Sequence, residues 1–346
     1  MMHRTSCYRM HLFRRVVVRK HGGPEVLELE DFGAQDIASI GPKDVLVRNS
    51  FAGVNYIDTY YRTGLYKKPS MPFVAGEEAS GAIVKVGSEV SKSRLGERVA
   101  YFQGSRGSYA SFTVVRSDDT HAVPSNVSDD VAAAALLQGC TAHYLSHDVF
   151  PVQAGQTVLV HAAAGGTGIL LTQMCKQRGA RVIATCGGDD ATKEKAATMF
   201  GSVDHLINYT KEKHWVSAVR SIAPAGVDCV FDGIGQATFH SGLDVLRVRG
   251  TMVNFGNASG PVSPVAPLLL TEKGSITLQR PSLKHFMRDE NREGQRRVAD
   301  VFQKLAQSEL MVHLGKTFSL AQARDAHEYL EGRHSSGKLL LNCQEQ

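Results

Sequence analysis

The six residues Ala163-Ala164-Gly165-Gly166-Thr167-Gly168 have the composition of a phosphate cradle. Val158, Leu159 and Val160 precede them as a short buried strand, and from Ile169 to Met174 the apolar residues restart at helical spacing. Strand, glycine turn and helix in that order aim backbone N–H groups and the positive end of a helix dipole at one point. Glycine there lets a pyrophosphate come close to the chain. The run is the dinucleotide pattern G-x-G-x-x-G with Ala163 in place of the first glycine, so Ala164, Gly165, Gly166, Thr167 and Gly168 are candidate ligand contacts. Other chemistries lack their spacing. The fourteen histidines contain no H-E-x-x-H. The six cysteines (Cys7, Cys140, Cys175, Cys186, Cys229, Cys343) form no C-x-x-C pair or disulfide framework, which implies a reducing compartment. Cys140 reads as a small buried apolar residue.

The flanking sequence supplies the elements that a phosphate turn needs. Strand-like runs at 181–186, 205–209, 227–235, 251–256 and 275–280 alternate with helical patterns at 192–200, 215–222 and 239–246. With 158–160 they make six strands of a parallel, doubly wound sheet, whose ligand lies across the carboxyl ends. Ile234 and Gly235 end the fourth strand, and Phe255, Gly256 and Asn257 end the fifth, so these are further expected cofactor contacts. The second strand ends Thr185-Cys186-Gly187-Gly188, without the acid that binds an adenosine ribose in NAD sites. Asp189 and Asp190 follow and are placed to cap the next helix. NADPH is the expected cofactor.

With 346 residues, 42% of them apolar, the chain is long enough for two domains. Its formal charge of +5 is spread among interspersed acids and bases. No basic block after the first twenty residues resembles a nucleic-acid arm, and no apolar run reaches the eighteen or so residues of a membrane span. The opening MMHRTSCYRMHLFRR is rich in arginine, with no acid before Glu25. It reads either as an organellar import segment or as an extension before a first strand at 14–20. Short alternating runs then describe a β-rich module, followed by a helix over 128–137. Near the end lie an amphipathic helix (QRRVADVFQKLAQ), a second helix capped by Ser319, and a closing strand (KLLLN) expected to return to the first module.

From about residue 14 onward the chain resembles the medium-chain dehydrogenase/reductases, and within them the zinc-free quinone oxidoreductases related to ζ-crystallin. HGGPEVL (21–27), GVNYIDTYYRTGLY (53–66), GEEASGAIVKVG (76–87), HAAAGGTG (161–168), INY (207–209), NFGNASG (254–260) and RPSL (280–283) carry the resemblance. It implies an α/β architecture in which a GroES-like β-rich catalytic domain accompanies a Rossmann domain with a doubly wound, six-stranded parallel sheet. The expected division is an extension over 1–13, the catalytic domain over 14–137 and 280–346, and the nucleotide domain over 138–279.

Where zinc-dependent relatives carry metal ligands, this chain has Asn55, Glu77 and Leu137. Only Glu77 is a ligand type, and a catalytic zinc needs three, so no metal is expected. Without a Lewis acid, the acceptor must already be electrophilic: a quinone or, alternatively, an enone or alkenal. The resemblance places Asn55, Tyr60 and Tyr66 on the nicotinamide-facing wall. Tyr66 also matches a proton donor proposed in enoyl-thioester reductases, or it only shapes the pocket. Asn55 serves as a polar contact to nicotinamide or substrate, or as a structural hydrogen bond. Thr141, four residues after Leu137, is carried over as a cofactor contact, as are Lys193 and Tyr209 against the 2′-phosphate. A homodimer or homotetramer is implied, with TMVNFG or SITLQR as the pairing edge. A cytoplasmic location is expected, with a mitochondrial one as the alternative. Because relatives of ζ-crystallin can bind AU-rich RNA, an RNA- or nucleotide-holding role is the reading of another class.

Overall fold

The computed structural model describes residues 13–33, 37, 39–102, 107–188, 191–287 and 292–344. Most of the arginine-rich opening, with Cys7, and the pair Asp189 and Asp190 lie outside the described residues.

Six parallel strands form the nucleotide sheet in the order His205–Asn208, Arg181–Cys186, Thr157–Val160, Val227–Asp232, Leu246–Asn254, Thr277–Gln279. Numbered along the chain, that is the doubly wound order 3-2-1-4-5-6, whose reversal lies beside the strand that feeds the glycine turn. The helices Ala191–Gly201 and Trp215–Ile222 stand where periodicity places them. The next does not reach Leu246. It closes at Leu243, and Leu246 already opens the fifth strand. Leu246 pairs with Val227, and the register then shifts so that Cys229 faces Thr251. The intervening Arg249 takes a positive φ of 60°. Such a bulge scatters the apolar residues and conceals the strand's start from a period-2 reading. This strand is paired on both sides, so TMVNFG offers no free edge; Thr277–Gln279 is one edge strand of the sheet and His205–Asn208 the other.

A second, seven-stranded sheet carries the β-rich module. Its centre is the long strand Asp44–Val54, paired antiparallel with Glu78–Val86, Phe112–Arg116 and the closing strand Lys338–Asn342. The C-terminal strand therefore returns to the first module, as the sequence predicts. The helix Asp129–Tyr144 runs unbroken through residues 137 and 138. Its Cys140 shares a buried cluster with Val158 and Leu170 and with Val298, Val301, Phe302 and Leu305 of the helix Glu293–Ala306. The latter four sit at helical i, i+3, i+4 and i+7 spacing. The amphipathic stripe thus packs against the helix Asp129–Tyr144, in a cluster that takes in Val158 and Leu170 of the nucleotide fold together with Ala100, Phe102 and Val127 of the β-rich module.

One short helix, Tyr56–Thr63, is fixed by a buried polar chain. Asp58 accepts the Asn55 backbone N–H at 2.8 Å and the Tyr109 hydroxyl at 3.0 Å. Tyr109 also meets His327 at 3.1 Å, and Arg62 contacts His327 at 3.0 Å and grips Glu331 with two bonds of 2.7 and 2.9 Å. Ser319 caps the turn Leu320–Gln322, one step ahead of the helix Ala323–Glu331 that supplies His327 and Glu331. Burial, reinforced by the charge of Glu77, pushes Asp58 up from 3.8 to about 7. Burial, with Arg62 beside it, pushes His327 down to about 3.

Between pH 4 and 7 the folded chain therefore keeps a proton on Asp58 that the unfolded chain releases, so this group favours the native state at the acid end. Relative to Asp58→Asn, which does not titrate, the wild type should lose about 2 to 4 kcal/mol between pH 5 and pH 8. Urea unfolding of both proteins at the two pH values measures the gap; a gap independent of pH contradicts the assignment.

Candidate functional site

The glycine turn stands at the head of the helix Gly166–Gln177, which has Gly165 as its N-cap and no side-chain cap. Its first amides are therefore available to an anion, which the helix dipole also favours. Gly168 is obligatory: a Cβ there would lie 2.3 Å from the Ala162 carbonyl oxygen. Ala164 is buried, and its carbonyl accepts from Gly337 N at 2.8 Å, so the start of the C-terminal strand lies against the turn. Thr141 is also buried, one helical turn beyond Gln138 on the same face.

At the end of the sheet formed by its second and third strands, Tyr209 packs on Gly187; a Cβ on that glycine would sit 2.5 Å from the tyrosine hydroxyl. The Lys193 ammonium lies beside Gly188 and donates to the carbonyl of Arg333. The neighbouring Glu194 is tied to Lys211 at 2.6 Å and Asn208 at 2.7 Å, which hold it below the usual carboxylate range. A lysine, a tyrosine and glycines without a side chain in the way fit a 2′-phosphate. Arg333 belongs to this corner, and sequence reasoning missed it because it lies 124 residues beyond Tyr209 in the chain.

At the other end, the loops after the fourth and fifth strands lock together. Asp232 Oδ1 accepts Ile234 N at 2.8 Å, Gly235 N at 3.1 Å and the Thr238 hydroxyl at 2.9 Å. Ser259 N donates to the Ile234 carbonyl at 2.8 Å, and Phe255 packs on Gly233. Gly256 passes so near the Gly233 carbonyl that no side chain fits between them. Tyr60, Tyr66 and Asn257 come together here. Asn257 N donates to the Tyr60 hydroxyl at 2.8 Å. The Asn257 side-chain oxygen accepts from the Tyr66 hydroxyl at 3.2 Å and from Arg280 Nη2 at 3.1 Å, while the same Nη2 lies 3.1 Å from the Tyr66 hydroxyl. Burial pushes Tyr60 well above an ordinary phenol, so it keeps its proton. Arg280 was visible only as part of the RPSL run; its contact with Tyr66 spans 214 residues.

Asn55 lies inside a buried cluster. Its Oδ1 accepts from Lys338 Nζ at 2.7 Å and from Gln138; its Nδ2 donates to the Gly53 carbonyl at 3.1 Å and to Glu78 Oε1 at 3.0 Å. Lys338 Nζ and Glu78 Oε1 pair at 2.6 Å, with the two side chains 3% and 0% exposed. Burial pulls the Lys338 ammonium below the usual lysine value, against the pull of Glu78. Glu77 is salt-bridged to Lys68, and burial raises its pKa. Leu137 contributes only a backbone N–H, to Glu78 Oε2 at 2.8 Å. Among the described residues no three histidines, cysteines or carboxylates gather as metal ligands. Cys140 is fully buried, and burial raises its thiol pKa.

Gly168→Ala forces a backbone shift at the centre of the site. It should cost about 2 kcal/mol of stability and abolish most of the thermal stabilisation by NADPH, read as melting temperature with and without the nucleotide. An unchanged NADPH-induced shift would show that the turn does not hold the phosphate.

Two family models match the chain, an alcohol dehydrogenase GroES-like domain over residues 41–125 and a zinc-binding dehydrogenase domain over 166–303. The chain is 39% identical to a quinone oxidoreductase of Salmonella typhimurium, over 94% of this chain and 98% of that protein. A 2-haloacrylate reductase of a Burkholderia species is 36% identical over 94% and 97%. The solved structure of Escherichia coli quinone oxidoreductase complexed with NADPH superposes with a TM-score of 0.87 at 36% identity, covering 95% of this chain and 99% of that one. The chain belongs to the zinc-free quinone oxidoreductases of the medium-chain dehydrogenase/reductase superfamily.

Proposed function

We propose that the chain is an NADPH-dependent quinone oxidoreductase that moves a hydride to the acceptor without a metal. What carries this reading is a row of features that follow the carboxyl ends of neighbouring parallel strands. It has the uncapped helix start in the middle, the Lys193 and Tyr209 corner at one end, and the Tyr60, Tyr66, Asn257 and Arg280 cluster at the other. When bound, the dihydronicotinamide supplies the hydride. The chain's residues orient and neutralise. The first-turn amides of Gly166–Gln177 take the pyrophosphate, and Thr141, Ala164, Ile234, Phe255 and Gly256 line its path. Hydride transfer to a quinone leaves an oxyanion that takes one proton to give the hydroquinone. The Tyr66 hydroxyl is the proton donor placed for that oxygen and is reprotonated from solvent, while the Arg280 guanidinium stabilises the oxyanion by hydrogen bonding without giving up a proton. The Asn55 amide has its donors and acceptors committed within the protein, which favours its structural role over direct contact with substrate.

Reduction of a conjugated carbonyl is the second reading. The 2-haloacrylate reductase among the relatives supports it, and Arg280 suits an acceptor that carries a carboxylate. We place the boundaries between the two domains at 137/138 and 279/280, with the helices Asp129–Tyr144 and Glu293–Ala306 packed together across them. We further propose a homodimer paired through the edge strand Thr277–Gln279. A reducing compartment, the cytoplasm, suits the free, buried cysteines Cys140, Cys175, Cys186, Cys229 and Cys343. No helix among the described residues is long and apolar enough to cross a membrane.

Loss of NADPH absorbance with a quinone panel tests the reaction. Turnover should survive a chelator, exceed that with NADH, and exceed that with simple enones. Lys193→Ala should raise the KM for NADPH about tenfold and leave that for NADH unchanged, in keeping with one charge-assisted phosphate contact. Enone turnover with inert quinones would select the second reading; an equal effect of Lys193→Ala on both cofactors would remove the lysine from the phosphate.

A further inference from the structure

The cluster around Lys338 joins parts of the chain that no local motif connects. Lys338 opens the closing strand, Asn55 caps the helix of the nicotinamide wall, Glu78 opens the strand Glu78–Val86, and Gln138 lies on the helix that leads into the nucleotide fold. Next to Lys338, Gly337 pairs with the glycine turn: Gly337 N donates to Ala164 O at 2.8 Å, and Gly337 forms a parallel bridge with Gly165. The lysine stem itself runs beneath that turn, since a Cβ on Gly166 would lie 3.6 Å from Lys338 Cδ and 3.3 Å from Gln138 Cγ. A buried ion pair of this kind is weak evidence for stability, because desolvation consumes most of the attraction. Its geometric effect is larger. The ammonium holds the Asn55 amide in one orientation, and Gly337, the chain neighbour of Lys338, bonds to the glycine turn.

We propose that Lys338 is a positioning residue that sets the nicotinamide wall against the phosphate turn, so that hydride-transfer geometry, and not cofactor affinity, depends on its contact with Asn55. This rests on the reading of the chain as an NADPH-dependent reductase. The two ends of the cofactor are gripped by different parts of the chain, and Lys338 belongs to the strut between them. A small misalignment of donor and acceptor costs rate steeply while leaving the binding contacts in place. The role is hidden in the sequence, where Gly337-Lys338-Leu339 looks like the ordinary start of a strand.

The test is the double variant Glu78→Gln/Lys338→Met, which removes both charges together and leaves neither buried alone. It should bind NADPH within about threefold of wild type and keep its half-saturating quinone concentration. Single-turnover hydride transfer should slow by about 10- to 100-fold, with a full primary isotope effect from 4-deuterated NADPH. Asn55→Ala, which keeps the ion pair and drops the amide, should give the same split and serves if the double variant does not fold. Nicotinamide fluorescence of bound NADPH, with no acceptor present, should show a less immobilised ring in either variant. Hydride transfer and fluorescence equal to wild type would make Lys338 a packing residue and overturn the proposal. So would a Kd weakened more than tenfold with an unchanged rate at saturation, which would assign Lys338 to the phosphate. If wild type oxidises NADPH with no quinone or enone, the reading of the reaction fails, and the fluorescence comparison still decides the role of Lys338.

Discussion

A helix that starts without a side-chain cap has amides to satisfy, and in this chain that helix starts where two sheets meet. The turn before Gly166–Gln177 is open to an anion because Gly165, Gly166 and Gly168 leave the backbone bare, and Gly168 has no room for anything else. Much of the surrounding architecture keeps that helix end in place. The strand Thr157–Val160 aims it, Ala163 N donates to Thr185 O on the next strand, and Gly337 returns from the far end of the chain to pair with Ala164. A closing strand that belongs by hydrogen bonding to the β-rich sheet thus also supports the nucleotide turn. The two sheets are thus joined through Gly337 at the glycine turn itself.

The opposing wall depends on eight residues. Tyr56–Thr63 is too short to be stable as an isolated helix, so its order comes from tertiary contacts. Asp58 and Arg62 face inward to Tyr109, His327 and Glu331, and Tyr60 reaches across to Asn257. The helix Ala323–Glu331 therefore controls the wall from behind, as Lys338 does from below. Polar groups are used where apolar ones would pack as well, and the return is orientation: directional bonds fix the rotamers of Asn55 and Tyr60, which dispersion alone would leave freer.

The sheet order, the glycine turn between strand and helix, and the return of the C-terminal strand were legible because each has a local signature: a period, a glycine pattern, an apolar run. What was not legible has no local signature. Leu246 belongs to a strand because a register shift near Arg249 lets it pair with Val227, and no window around Leu246 contains that information. The stripe Val298, Val301, Phe302 and Leu305 shows a buried face but not which domain buries it. Lys338, Arg333 and Arg280 act at 283, 140 and 214 residues' separation from Asn55, Lys193 and Tyr66. A lone lysine or arginine in sequence defaults to a solvated surface residue, and only the fold shows that Lys338 is enclosed. Asp232 was hidden for the opposite reason: it sits in the expected strand, but its carboxylate serves the turn after it.

The distribution of charge explains how the site manages with the residue types it has. A zinc ion would bring a full positive charge to the acceptor oxygen, and three ligands to hold it. Here the positive groups near the wall are divided. Lys68 is committed to Glu77 and Lys338 to Glu78, so neither pair presents net charge to a ligand. Among the described residues, the exposed Arg280 shares its guanidinium with neutral oxygens, those of Tyr66, Asn257 and the Pro281 carbonyl. It is thus a cation at the wall that no described carboxylate neutralises. A guanidinium cannot polarise a ground-state alcohol as a metal does, but it can meet an oxygen that becomes anionic as hydride arrives. That asymmetry favours reduction of electron-poor acceptors over oxidation of alcohols, and it follows from which side chains in the site are already paired.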